Sequence, residues 1–201
     1  AGAYTIDQSL RFNSADTAKL ERTPTSAGDG QTFTISTWAK ICGTPDSDTT
    51  YANNLAIFEA YSSVDNASGL KPTTNIAVQI GSIRVYARRT GDNIYWRSDN
   101  LFRDPGAWYN IVAAFDMTEG SAGDRIKIWI NNEQITSWET QTGPPSSYTT
   151  YINDTIPQRI GTAMNQAGTW DDPDQYLAEY HFIDGQALTP SSFGETDDTT
   201  N

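Results

Sequence analysis

Cysteine, histidine and positive charge are all scarce in this chain. There is one cysteine, Cys42, and one histidine, His181, in 201 residues. A lone Cys cannot close an internal disulfide. The two residues together cannot supply the Cys and His ligands of a structural zinc site. Assembly in a reducing compartment is therefore expected, even if the protein works outside a cell. Lys and Arg number 13 against 25 Asp and Glu, so the net charge is −12. Nonspecific nucleic-acid binding is disfavoured, because phosphate contacts need clustered cations. The densest basic patch, Arg84, Arg88, Arg89 and Arg97, is small and interrupted. The acidity leaves room for calcium. No apolar run reaches the roughly 18 residues of a membrane span, so no membrane insertion is expected. No basic-then-apolar leader opens the chain, which starts at Ala1 rather than Met. A processed product or a segment of something longer is expected.

What is abundant points to β structure. Thr, Ser, Asn, Asp and Gly are plentiful, and 11% of residues are aromatic within a 37% hydrophobic total. That composition suits many short strands, polar turns and one sizeable core. "FTISTWAKI" alternates, with Phe33, Ile35, Thr37, Ala39 and Ile41 on one face and Trp38 on the other. "NIAVQIGSIRVYARR" reads as a hairpin: Ile76, Val78 and Ile80 go out, Gly81-Ser82 turns, and Ile83, Val85 and Ala87 return. "NIYWRS" follows a turn at Thr90–Asp92. "WYNIVAAFD" is apolar on both faces and reads as a central strand. "RIKIWINNEQITSW" sets Ile126, Ile128 and Ile130 on one side and turns at Asn131-Asn132, which tolerate positive φ. "QRIG" and "YLAEYHFI" complete the series. The spacing predicts roughly ten to thirteen strands in an all-β sandwich. One helical turn is predicted at "LTPSSFG", with Thr189 as cap, Pro190 at the first position and Gly194 as stop. "ETDDTTN" reads as an acidic, polar tail or linker.

These segments carry a resemblance. "SLRFNSADTAKLERTP", "FTISTWAKI", "FRDPGAWYNIVAAFD", "RIKIWINNEQI" and "YLAEYHFIDGQALTPSSFGE" occur in the order of laminin-G-like, or concanavalin-A-like, jelly-roll domains. The chain is most similar to versions in tail-fibre and other surface proteins of tailed bacteriophages, especially marine ones. The likeness spans about Ser9 to Glu195, and the opening and closing motifs are its specific part. One departure is Asp174-Gln175, where the family often has Asp-Gly before the last strand. The resemblance implies a two-sheet antiparallel jelly roll over residues 1–195, with a tail at 196–201. It also implies a domain that binds glycans or proteins rather than catalysing. Such a domain would sit at a virion surface, in a fibre, spike or capsid decoration, as a homo-oligomer such as a trimer. It would be assembled in the host cytoplasm.

Catalytic patterns are sparse. Jelly-roll glycosidases resembling this group use Glu-x-Asp-x-Glu on one strand, which sets three acids on one face. The motif is missing here. Glu179 and Asp184 are five apart, an odd offset that separates them on a regular strand. Glu179 and His181 share a face, leaving Ala178, Tyr180 and Phe182 for the core. No Gly-x-Ser-x-Gly elbow or Gly-rich phosphate loop occurs.

Binding patterns are richer. "TWDDPDQY" gathers Asp171, Asp172 and Asp174, hard oxygen ligands that suit calcium or simply form an acidic turn. Asn153-Asp154 and the group Asp116, Glu119 and Asp124 are weaker candidates, explained equally by turn formation. Among six tryptophans, Trp38, Trp108 and Trp129 match aromatic positions of the resembled family and read as packing. Trp96, Trp138 and Trp170 fall outside its motifs. "NIYWRSDN" joins Tyr95 and Trp96 to Arg97, Asp99 and Asn100. A sugar's apolar face stacks on such rings while the polar groups bond its hydroxyls; filling a sheet face or a subunit contact is the competing use. The expected ligand residues are Tyr95, Trp96, Arg97, Asp99, Trp138 and Trp170. Three functions follow in order: adhesion to a host-surface glycan, a structural role among virion subunits, and glycan cleavage.

Overall fold

The period-two apolar pattern appears as two antiparallel sheets packed face to face. A computed structural model describes residues 6–42, 55–64, 72–79, 81–89, 93–99, 102, 104, 106–164 and 170–194. The turn expected at 90–92, and Ile80, Asn100 and the 196–201 tail lie outside the described residues. In chain order the strands are β1 (Leu10–Phe12), β2 (Leu20–Arg22), β3 (Thr32–Ile41), β4 (Leu55–Tyr61) and β5 (Thr73–Gln79). Then come β6 (Ser82–Arg88), β7 (Asn93–Ser98), β8 (Trp108–Asp116), β9 (Ile126–Ile130) and β10 (Glu133–Gln134). The last are β11 (Trp138–Thr142), β12 (Gln158–Ile160), β13 (Ala163–Met164), β14 (Trp170–Asp171) and β15 (Gln175–Asp184). Among the described residues these fifteen exceed the expected ten to thirteen, because pieces of two or three residues are too short to show a period.

One sheet has six strands, ordered β1-β15-β3-β8-β9-β10. The other has seven, ordered β11-β7-β6-β5-β4-β12-β2, and β13 pairs with β14 apart from both. The opening and closing motifs are spatial neighbours, since Leu10 pairs with Leu177 and Phe12 with Gln175. Strand β8 is central, between β3 and β9. Its inner face supplies Ile111, Ala113 and Phe115 to the main core. Its outer face adds Val112 and Ala114 to a smaller cluster with Trp129, capped by Phe193. That explains why the segment is apolar on both faces.

The core joins the alternating residues of both sheets. Phe33 and Phe115 are fully buried and stack at 4.5 Å. Such a pair contributes about 0.5–1.5 kcal/mol beyond the area it buries. Gly161 has φ +90 and lets Phe12 close on it; a Cβ there would lie 2.1 Å from the ring.

Local turn chemistry follows the sequence with small corrections. Asn131 and Asn132 both have positive φ and join Ile130 to its partner Glu133, a two-residue hairpin. The β5–β6 hairpin pairs Gln79 with Ser82, so its turn lies one residue before the expected Gly81-Ser82. Gly81, at φ +73, is the residue whose missing Cβ the turn uses. The turn at Pro190–Ser192 forms, but the Thr189 side chain caps no backbone amide; its hydroxyl lies 2.9 Å from that of Ser191.

A larger correction concerns β15. Glu179 sits at φ +49, and the register with β3 shifts between Ala178 and His181. Leu177 pairs with core-facing Ala39, and Phe182 with core-facing Ile35. From Leu177 to Phe182, six residues of β15 thus oppose five of β3, and the extra one reverses the alternation. Tyr180 and Phe182 pack on the core as expected. Ala178 is buried too, but opposite Trp38 and outside the main core cluster.

Candidate functional site

The face alternation of β7 sorts the expected ligand residues. Ile94 and Trp96 belong to the core, and Ser98 is fully buried with its hydroxyl accepting the Ile83 amide. Tyr95, Arg97 and Asp99 take the other face. Trp96 is therefore corrected: its ring is 1% exposed and its Nε1 donates to the Thr142 carbonyl at 2.8 Å. A ring so enclosed packs; it cannot stack on a sugar. Trp138 lies at the start of edge strand β11, half-buried, with its ring edge-on to Trp96 at 4.8 Å.

The outer face of the seven-stranded sheet is unusually polar for a surface so well covered. Tyr86 opposes Tyr95 and Arg84 opposes Arg97 across the β6–β7 ladder. The two tyrosine rings meet edge to face at 6.4 Å, both part-exposed. Arg84 is buried; its Nη1 donates to Gln79 Oε1 at 2.9 Å and its Nη2 to Asn75 Oδ1 at 3.3 Å. Arg97 lies 3.3 Å from the Glu139 carboxylate. Further along the same face, Glu59 is buried on β4 and opposes Arg159, whose Nε lies 2.6 Å from Glu21. Arg84, Asn75, Gln79, Tyr86 and Glu59 were not foreseen as site residues. A signal existed: they fill alternate positions between apolar ones, and a polar set with period two marks an outer face as surely as the apolar set marks the core.

The Tyr95–Arg97–Asp99 strip leads into a cleft of about 360 Å³. Asp99, Asn131, Glu133, Gln134, Thr136 and Ser137 supply its polar lining, with Tyr109 and Ile130 among the apolar groups. The Ser137 hydroxyl donates to Asp99 in a short hydrogen bond. Asn131 Oδ1 accepts the Asn110 amide at 2.9 Å, and the Ile135 amide donates to the Ile128 carbonyl at 2.8 Å. These bonds tie the β9–β10 hairpin and the following segment to the sheet. The lining offers hydroxyl, amide and carboxylate groups beside aromatic surface, a set able to match polyhydroxylated ligands.

Of the expected acidic run, only the side chains of Asp172 and Asp174 belong to the described residues. Asp171 pairs through its backbone with Ala163 and Trp170 with Met164, and their side chains lie outside the described residues. Asp172 is half-buried. Asp174 accepts the Ser14 amide at 3.1 Å and faces the Ser14 hydroxyl at 3.3 Å, so it ties down the loop after β1. Among the described residues no three His, Cys, Asp or Glu side chains gather to hold a metal ion. The weaker candidates are turn residues: Asp116 accepts the Thr118 amide, and Asp154 accepts the Thr155 amide and pairs with Arg89. Glu179 and His181 are both exposed, and the imidazole lies 5.7 Å from the Phe193 ring.

A second groove, of about 310 Å³, lies beside β2 and β12. Leu20, Pro24, Phe58, Ile160, Tyr180 and Phe182 make it mainly apolar. The Tyr180 hydroxyl donates to the Ile57 carbonyl at 3.2 Å, and burial pushes its phenol well above the ordinary value of 10.0.

No protein-family pattern matches this chain, and no curated protein matches its sequence. Solved structures do. It superposes on the native heptameric SAP-like pentraxin from Limulus polyphemus with a TM-score of 0.57 and 14% identity, covering 94% of this chain and 82% of that one. Mouse laminin alpha1 domains LG4-5 give 0.58 at 10% identity, over 92% of this chain and 44% of that one. The binding domain of botulinum neurotoxin DC in complex with SialylT gives 0.52 at 15% identity, over 92% and 40%. The chain thus spans less than half of the laminin and toxin chains. What it shares with all three is architecture: two antiparallel sheets folded as a concanavalin-A-like jelly roll.

Proposed function

We propose that this chain is a non-enzymatic glycan-binding module on a bacteriophage surface, in a tail fibre or spike, that holds a host-surface glycan. The carrying observation is the outward strip of Tyr95, Arg97 and Asp99 running into the polar cleft at Asn131–Ser137. Rings that can stack lie beside groups that can bond hydroxyls. The phage setting rests on the opening and closing motifs, and with it come a homo-oligomer, such as a trimer, and cytoplasmic assembly. Asp99 and Glu133 both line the cleft, but both are exposed to water. A general acid for glycoside cleavage is made by burial that raises its pKa. The exposure of both carboxylates supports binding over cleavage as the reading.

A glycan-array screen of the folded chain tests this reading, with and without a calcium chelator. Binding to a defined set, lost with Asp99→Ala, supports it; release of cleaved product from a bound glycan would move the reading to an enzyme. Chelator sensitivity would assign calcium to the Asp171, Asp172 and Asp174 run. A second reading, a structural module contacting other virion subunits, is favoured by Leu10 and Leu20, which are 56% and 49% exposed beside the apolar groove. A blank array together with a concentration-dependent oligomer would select it.

A further inference from the structure

We propose that the free edge of β2 pairs with β2 of a second copy of this chain across a two-fold axis, Leu20 meeting its own mate. The inference is independent of what the polar cleft binds. Strand β2 ends the seven-stranded sheet, and Leu20, Glu21 and Arg22 are all exposed. Strand β12 takes one side of it, and among the described residues no strand takes the other. Such an edge keeps a row of backbone N–H and C=O groups that a further strand can use. The residues on it say which strand fits. Lys19, exposed, precedes Leu20 and Glu21, so a copy run antiparallel presents Glu-Leu-Lys to Lys-Leu-Glu. With the pair centred on Leu20, Lys19 of each copy opposes Glu21 of the other. Opposite charges and apolar pairs directly across a ladder both stabilise it. Centring on Glu21 would oppose two carboxylates, and centring on Lys19 two ammonium groups. A lone edge lysine guards against pairing; one matched by an acid two residues on specifies a register.

The apolar side of the same edge gives the contact its driving force. Leu20 pairs with Ile160, which packs on the main core, so both take the inner face. Leu20 lines the groove of about 310 Å³ and an adjoining gap of about 210 Å³. Leu10, on edge strand β1 of the other sheet, lines the smaller gap. Of the three large hydrophobic side chains exposed among the described residues, Leu10, Leu20 and Val64, two stand at this one rim. Pairing the β2 edges sets Leu20 against its mate over these gaps and withdraws its surface from water. Glu21 takes the opposite face. It lies 2.6 Å from Arg159 Nε, yet its side chain stays 42% exposed, within reach of a lysine from a second copy. A contact in which a residue meets itself is isologous and closes as a dimer; a ring such as a trimer needs no such self-match. The polar cleft lies at the far rim, beyond β10 and β11, so both copies keep it open and the dimer presents two.

Sedimentation equilibrium of the full chain tests this, with a melting curve to show that each variant folds. The parent should be a dimer at roughly 100 μM and dissociate on dilution, as a modest interface does. Lys19→Glu sets two acids against two and should weaken association about ten- to a hundredfold. Glu21→Lys should do the same with the opposite sign. An equimolar mixture of these two variants should dimerise again, because every acid then opposes a lysine, and the double variant should self-associate like the parent. Leu20→Ser, which leaves the Arg159 contact in place, should also weaken the dimer. A parent that is monomeric at that concentration or trimeric overturns the inference. So does a dimer that folded Lys19→Glu and Leu20→Ser leave unchanged, or a mixture of folded charge variants that stays monomeric. The glycan reading rests on the opposite rim and survives each of these outcomes.

Discussion

The two grooves at opposite rims of the sandwich are similar in size, about 310 and 360 Å³, and different in chemistry. At the β2–β12 rim, Phe58, Tyr180, Phe182 and Ile160 line the gap and Leu20 stands exposed at its lip. At the β10–β11 rim, Asp99, Asn131, Gln134 and Ser137 line it. A sandwich necessarily leaves a gap along each open side, because its sheets close on each other only through side chains. The fold therefore supplies the space twice, and the rim residues decide what each space can receive. The apolar rim draws its rings from the core, so it is tied to stability. The polar rim is built from hairpin and edge-strand residues and can vary without cost to the core.

That contrast can be broken experimentally. The largest effect is expected from Trp96→Ala, which removes a fully enclosed ring beneath the polar strip. Stability should fall by about 3–5 kcal/mol, and a chemical denaturation curve reads it directly. Its neighbour Tyr95→Ala should stay within about 0.5–1 kcal/mol of the parent while weakening sugar binding, because only the outer face changes. At the apolar rim, Phe182 stacks on Phe33 at 6.0 Å and on Phe58 at 5.8 Å but is only half-buried. Phe182→Ala should therefore cost about 2–3 kcal/mol, below the range for a fully enclosed ring. The expected drop in Tm is about 2–4 °C per kcal/mol for a chain this long. A near-parental melt would reject the packing role.

The Tyr180 phenol offers a smaller, pH-gated effect at the same rim. Its folded pKa lies above the ordinary value of 10.0, so the folded chain keeps a proton that the unfolded chain loses. Stability is unaffected below about pH 10 and falls above it, by up to about 1.4 kcal/mol per pH unit until the folded pKa is passed. Tyr180→Phe should flatten that part of the pH–stability curve. Smallest in stability is Asp99→Ala at the polar rim, expected within about 0.5 kcal/mol of the parent, since the side chain is exposed. Its effect should appear in glycan titrations as a loss of roughly tenfold. An equal loss of stability and binding would mean that the polar rim is as structural as the apolar one.

How much of the site was legible depends on the residue. The alternation of "NIYWRSD" already separates Ile94, Trp96 and Ser98 from Tyr95, Arg97 and Asp99. Grouping Trp96 with Tyr95 as one platform overlooked that neighbours on a strand point apart. Arg84 was noticed only as part of a weak basic patch, because its partner Arg97 lies 13 positions away in sequence and meets it only by register. The reversal at Glu179 was illegible: a bulge is a single added residue, and nothing in "LAEYHF" distinguishes it from regular strand.

Local physics in the chain itself determined the strands, the Asn131-Asn132 hairpin, the central place of β8 and the all-β sandwich class. Each depends on side-chain alternation or on φ preferences that act over a few residues. Tertiary structure alone decided that Arg84 faces Arg97, that Asp174 serves Ser14, and that Asp99 meets Ser137 across a cleft. Those meetings join residues from 13 to 160 positions apart, and strand register, which only the assembled sheets establish, brings them within reach.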